Sequence, residues 1–547
     1  MNCLYVNGAL PLTITEFAVR VGKWIIMIKN DFLRRFFVIA LAFAFAATGE
    51  CVVNMSETTP TVAAASDDAA EYAGKAPKYI FMFIGDGMSF PQIQASGFYR
   101  GVKQHGAIDP AAGRIPQASP MFFTTFPVVG AVNSYNSSSY CPDSAATATS
   151  LSSGIRTLSG VLNMDETKQH KSVSIAEQVK QQLDYKVGIV TSVNIDHATP
   201  AAYYAHVPSR SDYYDIGMDL LKSNYDYFAG GDFLSNNSKQ VTKEGKEKIA
   251  DLAAKEGYYI ANTNEKFRSL KPENGKTIVI CPQDELETGT MAMKYRLDQK
   301  EGDITLADLT RKGIEMLTAN NDKGFFMMVE GGKIDWGCHA NDAFTVINET
   351  MAFEEAVKVA SEYYDKYPEE TLIIVTGDHE TGGLTIGFAG TNYDTYFEKL
   401  GNQKTSYVEF EKIVNTYKDK NVSFEDALKD VKANFGLLTE SDPDAAAKKD
   451  MVLTEYELGK LKAAFEMVKD GRTAKEQGDR VLYGGYNPFV VTLTHVLNNK
   501  AGVNFASYAH TGLPVALYAK GAGADAFAGA YDNVDVCKKL RALTKVK

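Results

Sequence analysis

Four mostly apolar segments of the chain each end in a polar loop that begins with a glycine, a carboxylate or an asparagine. Such runs are typical of strands that are buried on both faces, and the polar residues mark where the strands stop. The pattern therefore predicts four core strands, each followed by side chains that can bind a ligand. The four segments are residues 79–84 before Gly85 and Asp86, residues 186–193 before residues 194–199, residues 324–329 before Glu330, and residues 371–376 before residues 377–379.

Helical patterns separate these strands, for example at residues 174–183 and 344–364. Alternation of strands and helices predicts an α/β fold with a mostly parallel central sheet that is flanked by helices on both faces. In such sheets, binding groups gather beyond the carboxyl ends of the strands. Residues from about 390 to 500 instead show charged amphipathic segments with capping-type starts, so we predict a helical insertion there. We assign residues 77–547 to one catalytic domain that contains this insertion.

The first 50 residues resemble a targeting sequence. Lys29, Arg34 and Arg35 precede an apolar run at residues 36–47, which is too short to span a bilayer. We therefore predict a leader at residues 1–50, a linker at residues 51–76, and export of the protein, with the periplasm as the favoured compartment and no transmembrane segment in the mature chain. Cys51 would suit a lipid anchor, but the glutamate before it makes that alternative the weaker one.

Composition narrows the range of functions. The chain has 57 Lys and Arg against 68 Asp and Glu, a net charge of −11, which disfavours nucleic acid as the main partner. Six cysteines in 547 residues, none in a Cys-x-x-Cys pair, indicate neither a disulfide framework nor a thiolate zinc site.

Ser144 is the candidate nucleophile. Pro142 and Asp143 suit the first turn of a helix, and small residues fill positions 145–150. The sequence therefore predicts a helix that begins near Ser144, where backbone N–H groups and the helix dipole favour a bound anion. The alternative is an ordinary helix cap with no ligand.

Imidazole and carboxylate groups form the candidate metal ligands. Asp335 and His339 are four residues apart and so share one face of a helical turn. Asp378 and His379 are adjacent at a strand end. Asp86, after the first strand, and His510, before a glycine, complete a set that suits zinc and magnesium. Each pair alone would also fit a structural hydrogen bond.

Taken in order, these motifs closely resemble the alkaline phosphatase family over residues 78 to about 525. Arg210 belongs to the set, since a guanidinium can hold two phosphate oxygens, although alone it would pass for a surface arginine. The matching motifs are Gly85 to Met88, Asp143 to Ala146, His197 to Pro200 with Arg210, Glu330 to His339, Asp378 with His379, and His510 to Gly512.

The resemblance implies metal-dependent hydrolysis of small phosphate monoesters at alkaline pH, through a phosphoserine intermediate, by a homodimer. It implies Ser144 as the nucleophile and Arg210 as the phosphate clamp. It also implies two zinc ions and one magnesium ion. The implied ligand sets are Asp335, His339 and His510 for one zinc, Asp86, Asp378 and His379 for the other, and Asp86, Thr199 and Glu330 for magnesium.

Two residues depart from the best-known bacterial pattern of the family. His197 stands where that pattern has an aspartate, and Trp336 where it has a lysine. We expect both beside the metal ligands rather than among them, and the imidazole could admit zinc at the third site.

Two other readings stay open. A phosphodiesterase or sulfatase of the same fold would share the metal ligands, but Arg210, Thr199 and Glu330 favour a monoesterase. A phosphate-binding or metal-storage protein would need no activatable serine, so Ser144 favours an enzyme.

Overall fold

A computed structural model describes residues 76–472 and 476–547, so the predicted leader and all of the predicted linker except Ala76 lie outside the described residues. Ten of the strands form one sheet in the order β14-β2-β13-β8-β1-β7-β3-β4-β6-β5, and the other four form two short antiparallel pairs, β10 with β11 and β12 with β9. The strands are β1 (Tyr79–Gly85), β2 (Val128–Asn133), β3 (Lys186–Asn194), β4 (Tyr227–Gly231), β5 (Tyr259–Ala261), β6 (Thr277–Ile280), β7 (Phe325–Glu330), β8 (Thr371–Gly377), β9 (Glu380–Thr381), β10 (Leu384–Ile386), β11 (Val503–Phe505), β12 (His510–Thr511), β13 (Val515–Gly521) and β14 (Gly529–Asp532).

The ten-stranded sheet is mostly parallel, as predicted. β1 lies at its centre and pairs in parallel with β7 on one side and with β8 on the other. β13 is antiparallel to both of its neighbours, β8 and β2. The four strands that the apolar pattern predicted are consecutive in the sheet, in the order β8-β1-β7-β3.

Helices cover both faces of the sheet because side chains of each core strand alternate between two hydrophobic clusters. Phe81 and Phe83 belong to the cluster on one face of the sheet, whereas Ile80, Met82 and Ile84 belong to the cluster on the opposite face. The helices outside the predicted insertion are α1 (Phe90–His105), α2 (Ser144–Ser153), α3 (Ile175–Leu183), α4 (Ala198–Ala201), α5 (Tyr213–Ser223), α6 (Lys239–Thr242), α7 (Ile249–Lys255), α8 (Asn264–Ser269), α9 (Leu306–Thr318), α10 (Lys333–His339) and α11 (Ala343–Tyr364), together with a last helix, Asn533–Thr544.

The segment predicted as an insertion folds into helices. Phe410, Leu461 and Phe489 from this segment are fully buried and belong to the same hydrophobic cluster as Phe81 of β1. The segment therefore extends the core on one face of the sheet. Its helices are α12 (Tyr407–Val414), α13 (Phe424–Phe435), α14 (Glu455–Lys469), α15 (Gln477–Tyr483) and α16 (Pro488–Lys500), and the last helix of the chain, Asn533–Thr544, is α17.

Short 3₁₀ turns connect several of these elements. Among the described residues no helix has both the length and the apolar character needed to cross a membrane. The four cysteines in this part of the chain, Cys141, Cys281, Cys338 and Cys537, are unpaired. The 3₁₀ turns are Pro110–Ala112, Phe122–Thr125, Leu234–Asn237, Pro272–Asn274, Gln283–Glu285, Phe397–Asn402, Lys449–Met451 and Ala524–Phe527.

Two helical glycines provide a test of the packing of α1. A Cβ on Gly101 would lie 1.8 Å from the carbonyl oxygen of Gln117, whereas a Cβ on Gly459 of α14 would have no neighbour within 4 Å. We expect Gly101→Ala to lower the free energy of unfolding by about 1–3 kcal/mol through overpacking. Gly459→Ala should raise it by roughly 0.5–1 kcal/mol, because alanine loses less entropy in a helix. Urea denaturation of both variants measures the difference, and equal shifts would contradict the close approach at Gly101.

Candidate active site and metal centre

Three buried carboxylates meet at the centre of the sheet. Asp86 follows β1, Asp378 follows β8, and Glu330 is the last residue of β7. These strands are adjacent and parallel, with Ile84 paired to Glu330 and Gly85 paired to Gly377, so their carboxyl ends lie side by side. Each of the three carboxylates is 0–1% exposed. The parallel register thus brings together ligands that are far apart in sequence.

Ser144 lies at the edge of this group. Helix α2 begins at Ser144, as the sequence predicted, and the serine is 2% exposed. Its Oγ is 3.1 Å from Nε2 of His379 and 3.4 Å from Oδ1 of Asp86. A hydroxyl at this point touches both an imidazole and a carboxylate of the predicted metal set.

The first turn of α2 differs from the expectation of free N–H groups. The carboxylate of Asp143 accepts hydrogen bonds from the backbone N–H groups of Ala145 and Ala146, each at 3.3 Å. These backbone N–H groups are therefore already hydrogen-bonded to the helix cap and are less able to bind an anion beside Ser144. Recognition of the anion must depend more on side chains and cations than the sequence indicated.

A pair of histidines defines the first candidate metal group. His339 donates from Nδ1 to the carbonyl of Tyr508 at 2.6 Å, and His510 donates from Nδ1 to the carbonyl of Pro142. Because a carbonyl only accepts, the neutral form of each ring carries its lone pair on Nε2. The two Nε2 atoms are 3.1 Å apart and lie 3.3 and 3.5 Å from the carboxylate oxygens of Asp335. Lone pairs that face each other at this distance fit a shared cation.

His379 forms the second group with carboxylates. Its Nε2 lies 3.3 Å from Oδ1 of Asp86 and 3.3 Å from Oδ2 of Asp378. One ligand atom from each of Asp86, Asp335 and His379 falls within a set whose members lie within 4.8 Å of one another. Asp335 therefore borders both the first and the second group.

Asp86 also borders a third group, with His197 and Glu330. The hydroxyl of Thr199 donates to Oδ2 of Asp86 at 3.2 Å, and the hydroxyl of Thr191 donates to Glu330. Nδ1 of His197 and Oε1 of Glu330 are buried, 3.9 Å apart, and neither has a hydrogen-bond partner. Buried polar atoms are normally satisfied, so this gap fits an ion or its bound water.

Arg210 links the third group to the residue before Ser144. It lies in a turn beyond α4, which covers residues 198–201. Its Nη1 donates to Asp143 at 3.0 Å, and its Nη2 donates to Nε2 of His197 at 3.0 Å. An arginine only donates, so the neutral His197 ring carries its proton on Nδ1.

Trp336 lies beside His197. Its ring is perpendicular to that of His197, with centroids 5.9 Å apart. The ammonium of Lys333 lies 4.9 Å from the centre of the indole ring and is paired with Glu287, and the lysine is fully buried. The chain thus keeps a lysine near the tryptophan, but a carboxylate neutralises its charge.

Two threonines at the site were not predicted. Thr147 donates to Oδ2 of Asp378 at 3.1 Å, and Thr381 contacts both Nδ1 of His379 and the carboxylate of Asp335. The spacing of each threonine from a predicted site residue could have indicated its place in the site. Thr147 is three residues after Ser144 on the same helical face, and Thr381 is two residues after His379.

The crowded charges shift the proton affinities of these groups. Burial and the neighbouring carboxylates of Asp378 and Asp335 raise the pKa of Asp86 well above its ordinary value. Burial, helped by Asp335, raises the pKa of Asp378 to about 8. Burial and the nearby His510 ring lower the pKa of His379 well below its ordinary value.

The pKa values of Asp335 and His339 shift in opposite directions because the two side chains form an ion pair. Burial acts to raise the pKa of Asp335, but the imidazolium of His339 holds it well below its usual range. Burial acts to lower the pKa of His339, but the carboxylate of Asp335 raises it to about 9. A bound cation would replace these protons, because it neutralises the same carboxylates and takes the same lone pairs.

A buried serine among carboxylates and imidazoles, at the carboxyl edge of a mostly parallel sheet, defines a hydrolase with a metal-binding active site. The family model for alkaline phosphatase matches residues 77–546, and the chain belongs to that family, whose members depend on metal ions.

Curated relatives carry the same family name. Alkaline phosphatase 4 of Bacillus subtilis is 28% identical over 492 residues, which cover 88% of this chain and 90% of the relative. The tissue-nonspecific alkaline phosphatase isozyme of Homo sapiens is 28% identical over 344 residues, which cover 55% of this chain and 63% of the relative.

Solved structures support the fold. A cold-active alkaline phosphatase from the psychrophile Shewanella sp. superposes with a TM-score of 0.66 at 25% identity and covers 85% of this chain and 99% of its own. The alkaline phosphatase of Thermus thermophilus gives 0.69 at 20% identity, over 87% of this chain and 92% of its own. A histidine mutant of the alkaline phosphatase from the Antarctic bacterium TAB5, with a TM-score of 0.56 at 22% identity over 86% and 99% of the two chains, has Mg bound in its M3 site.

The pKa shifts predict how the metal-free protein responds to pH. The folded state raises the pKa of Asp378 from 3.8 to about 8 and the pKa of His339 from 6.5 to about 9. Each raised value adds stability that is complete below the unfolded pKa and is lost as the pH rises through the folded pKa. We therefore expect the melting temperature of chelator-treated protein to fall between pH 7 and 9, as measured by calorimetry.

A matched pair of variants tests this origin. Asp378→Asn should make the fall between pH 7 and 9 shallower, because it removes one of the two groups. Asp251→Asn changes an exposed carboxylate of α7 and should leave the fall unchanged. A melting temperature that stays level or rises over this range in the unsubstituted protein would contradict the shifts.

Proposed function

We propose that this enzyme hydrolyses small phosphate monoesters to an alcohol and inorganic phosphate at alkaline pH, through a phosphoserine on Ser144. The observation that carries the proposal is the position of the serine hydroxyl, 3.1 Å from Nε2 of His379 and 3.4 Å from Oδ1 of Asp86. Cations held by these neighbouring groups would activate the serine hydroxyl as a nucleophile.

Three ions fit the three groups. Asp335, His339 and His510 would hold one zinc, Asp86, Asp378 and His379 a second zinc, and Asp86, Thr199 and Glu330 a magnesium. When bound, such ions lower the pKa of a neighbouring hydroxyl or water and neutralise charge on phosphate oxygens. Asp86 would then border the second and third ions, and this role accounts for the burial of a carboxylate whose salt-bridge contact is a histidine of the same metal group.

Ser144 carries the covalent step in this proposal. Its Oγ forms a bond to phosphorus while the bond from phosphorus to the leaving alcohol oxygen breaks. Water then attacks the phosphoserine, so that inorganic phosphate leaves and the hydroxyl of Ser144 returns. The location of Ser144 at the first position of α2 limits its motion and keeps Oγ directed at the carboxyl edge of the sheet.

Arg210 would bind the equatorial phosphate oxygens. Asp143 and His197 each take one of its N–H groups and so fix the plane of the guanidinium. A planar donor held in this way can engage two phosphate oxygens at once. Its charge would also offset the charge that develops on phosphorus substituents during transfer.

The hydrogen bond between Arg210 and His197 supports magnesium rather than zinc at the third site. Since Arg210 donates to Nε2 of His197, the proton on Nδ1 points toward Glu330 and suits a water on the ion rather than direct ligation. Zinc would enter this site with His197 as a ligand only if Arg210 released the ring.

A phosphodiesterase or sulfatase is the competing reading within the same fold. The pairing of Arg210 with Asp143 next to the nucleophile, and the oxygen-rich third group, support the monoesterase. Export to the periplasm and a homodimer complete the proposal, on the strength of the leader-like residues 29–47 and of the family resemblance.

Replacing the nucleophile is the direct test. We expect Ser144→Ala to lower release of p-nitrophenol from p-nitrophenyl phosphate at about pH 9 by 10³-fold or more, on the order of other nucleophile deletions. Metal content should not change, because carboxylates and imidazoles carry the binding. Acid-quenched wild-type enzyme should show phosphate on Ser144 by mass spectrometry.

Ser153→Ala provides the matched control, since Ser153 is a buried serine of the same helix whose hydroxyl donates to the carbonyl of Thr149. It should keep its activity. Phosphate on another residue, or faster hydrolysis of a diester or sulfate ester than of the monoester by the wild-type enzyme, would refute the proposal.

Trp336 provides a test of product binding. Trp336→Lys would add a positive charge beside His197, and Glu287 is already paired with Lys333. We expect inhibition by inorganic phosphate to tighten on the order of tenfold, about the value of one charge-assisted hydrogen bond, and turnover at alkaline pH to slow.

Trp336→Phe keeps the aromatic contact and should leave the inhibition constant near the wild-type value. The only other tryptophan of the chain, Trp24, lies in the predicted leader, so indole fluorescence of the exported protein should respond to phosphate. Unchanged inhibition in Trp336→Lys, with fluorescence that ignores phosphate, would place this residue away from the phosphate.

A further inference from the structure

Asn341 joins the backbone just before His339, at the end of α10, to the backbone just before His510, at the start of β12. It lies between α10 and α11 in the left-handed region, with φ of 51°, and is 2% exposed. Its Nδ2 donates to the carbonyl of Cys338 at 2.8 Å and to the carbonyl of Ser507 at 2.9 Å. Cys338 directly precedes His339, and Ser507 is three residues before His510. One amide group therefore fixes the backbone beside both histidines.

Helix α16, the last helix of the segment predicted as an insertion, holds Asn341 in turn. Because Nδ2 donates to two carbonyls, Oδ1 is the acceptor, and Nε2 of His495 donates to it at 3.0 Å. Nδ2 of Asn498 donates to the backbone carbonyl of Asn341 at 2.7 Å. Two side chains of α16 thus satisfy both acceptors of this residue.

Tyr508 forms a second connection between the same segment and the histidines. Its carbonyl accepts from Nδ1 of His339 at 2.6 Å. Its ring stacks on His495, with centroids 5.8 Å apart, and its hydroxyl donates to the carbonyl of Leu482 at 2.5 Å. At Gly484, where φ is 68°, an added Cβ would lie 2.3 Å from the tyrosine ring. The insertion segment therefore surrounds the side chain whose backbone orients His339.

We propose that residues 482–498 are a positioning element for the first metal group. His495 acts through Asn341 and Tyr508 to hold His339 and His510 with their Nε2 atoms facing. The proposal rests on the proposed function, in which these two histidines and Asp335 hold a zinc ion. His495 touches none of the three ligands, so its effect on metal binding is indirect.

The geometry of His339 and His510 explains why a positioning element is needed. When both rings are in the deprotonated form that binds a cation, their Nε2 lone pairs face each other at 3.1 Å and repel, and each side chain would gain rotamer freedom by turning away. Hydrogen bonds to Nδ1 and a fixed backbone oppose that motion. Partners of this kind orient metal ligands, and their loss weakens metal binding by about 10- to 100-fold.

Zinc affinity is the decisive measurement. We expect His495→Leu to weaken zinc binding by about 10- to 100-fold in competition with a chromogenic chelator, because the Oδ1 of Asn341 loses its donor. His495→Gln keeps a donor and should stay within about threefold of wild type. Asn341→Gly, which suits the left-handed backbone but removes the amide, should weaken zinc binding like His495→Leu. Lys462→Ala, an exposed change on α14, should have no effect.

Two further readouts separate positioning from general damage. Circular dichroism of the metal-free variants reports whether they fold, and excess zinc should restore activity in folded His495→Leu. If His495→Leu does not fold, the zinc affinity of Asn341→Gly tests the inference in its place. Zinc affinity equal to wild type in the folded variants overturns this inference alone, whereas a wild-type protein that binds no zinc overturns the proposed function and this inference with it.

Discussion

Repulsion among buried carboxylates is the constraint on which the rest of the site depends. Asp86, Asp335, Asp378 and Glu330 lie at the carboxyl edge of the sheet, each no more than 4% exposed. Burial of one ionised carboxylate is costly, and close like charges add to the cost. The sheet register makes their approach unavoidable, because β1, β7 and β8 end side by side. Only protons or cations can offset this charge, and the histidine lone pairs select cations.

The parts of the fold that the sequence predicted are those that depend on local pattern. Apolar runs located β1, β3, β7 and β8 to within one residue at most ends, because a strand buried on both faces needs a continuous apolar segment. The start of α2 at Ser144 and the shared turn of Asp335 and His339 followed from capping and helical spacing. Their assembly into one site followed from the general rule for parallel sheets.

The contacts that the sequence did not predict depend on backbone atoms or on distant pairs. The carbonyls of Tyr508 and Pro142 fix His339 and His510, but a carbonyl is present in every residue and leaves no mark in the sequence. Asp143 caps α2 and also pairs with Arg210, which is 67 positions away in the sequence. Likewise, periodicity indicated helices in residues 390–500 but could not show that Phe410 and Phe489 share a core with β1.

The position of β13 has a consequence for synthesis of the chain. β2 is joined to the sheet through β13 and β14, which come from the last 33 residues, although β2 itself ends at Asn133. In a growing chain β2 therefore has no connection to the rest of the sheet until β13 has been synthesised. His510 lies five residues before β13, so the histidine pair also forms late in synthesis. A chain that stops before His510 would consequently expose the unpaired edge of β8 and lack one metal ligand, so closure of the sheet and completion of the metal group both depend on residues 510–532.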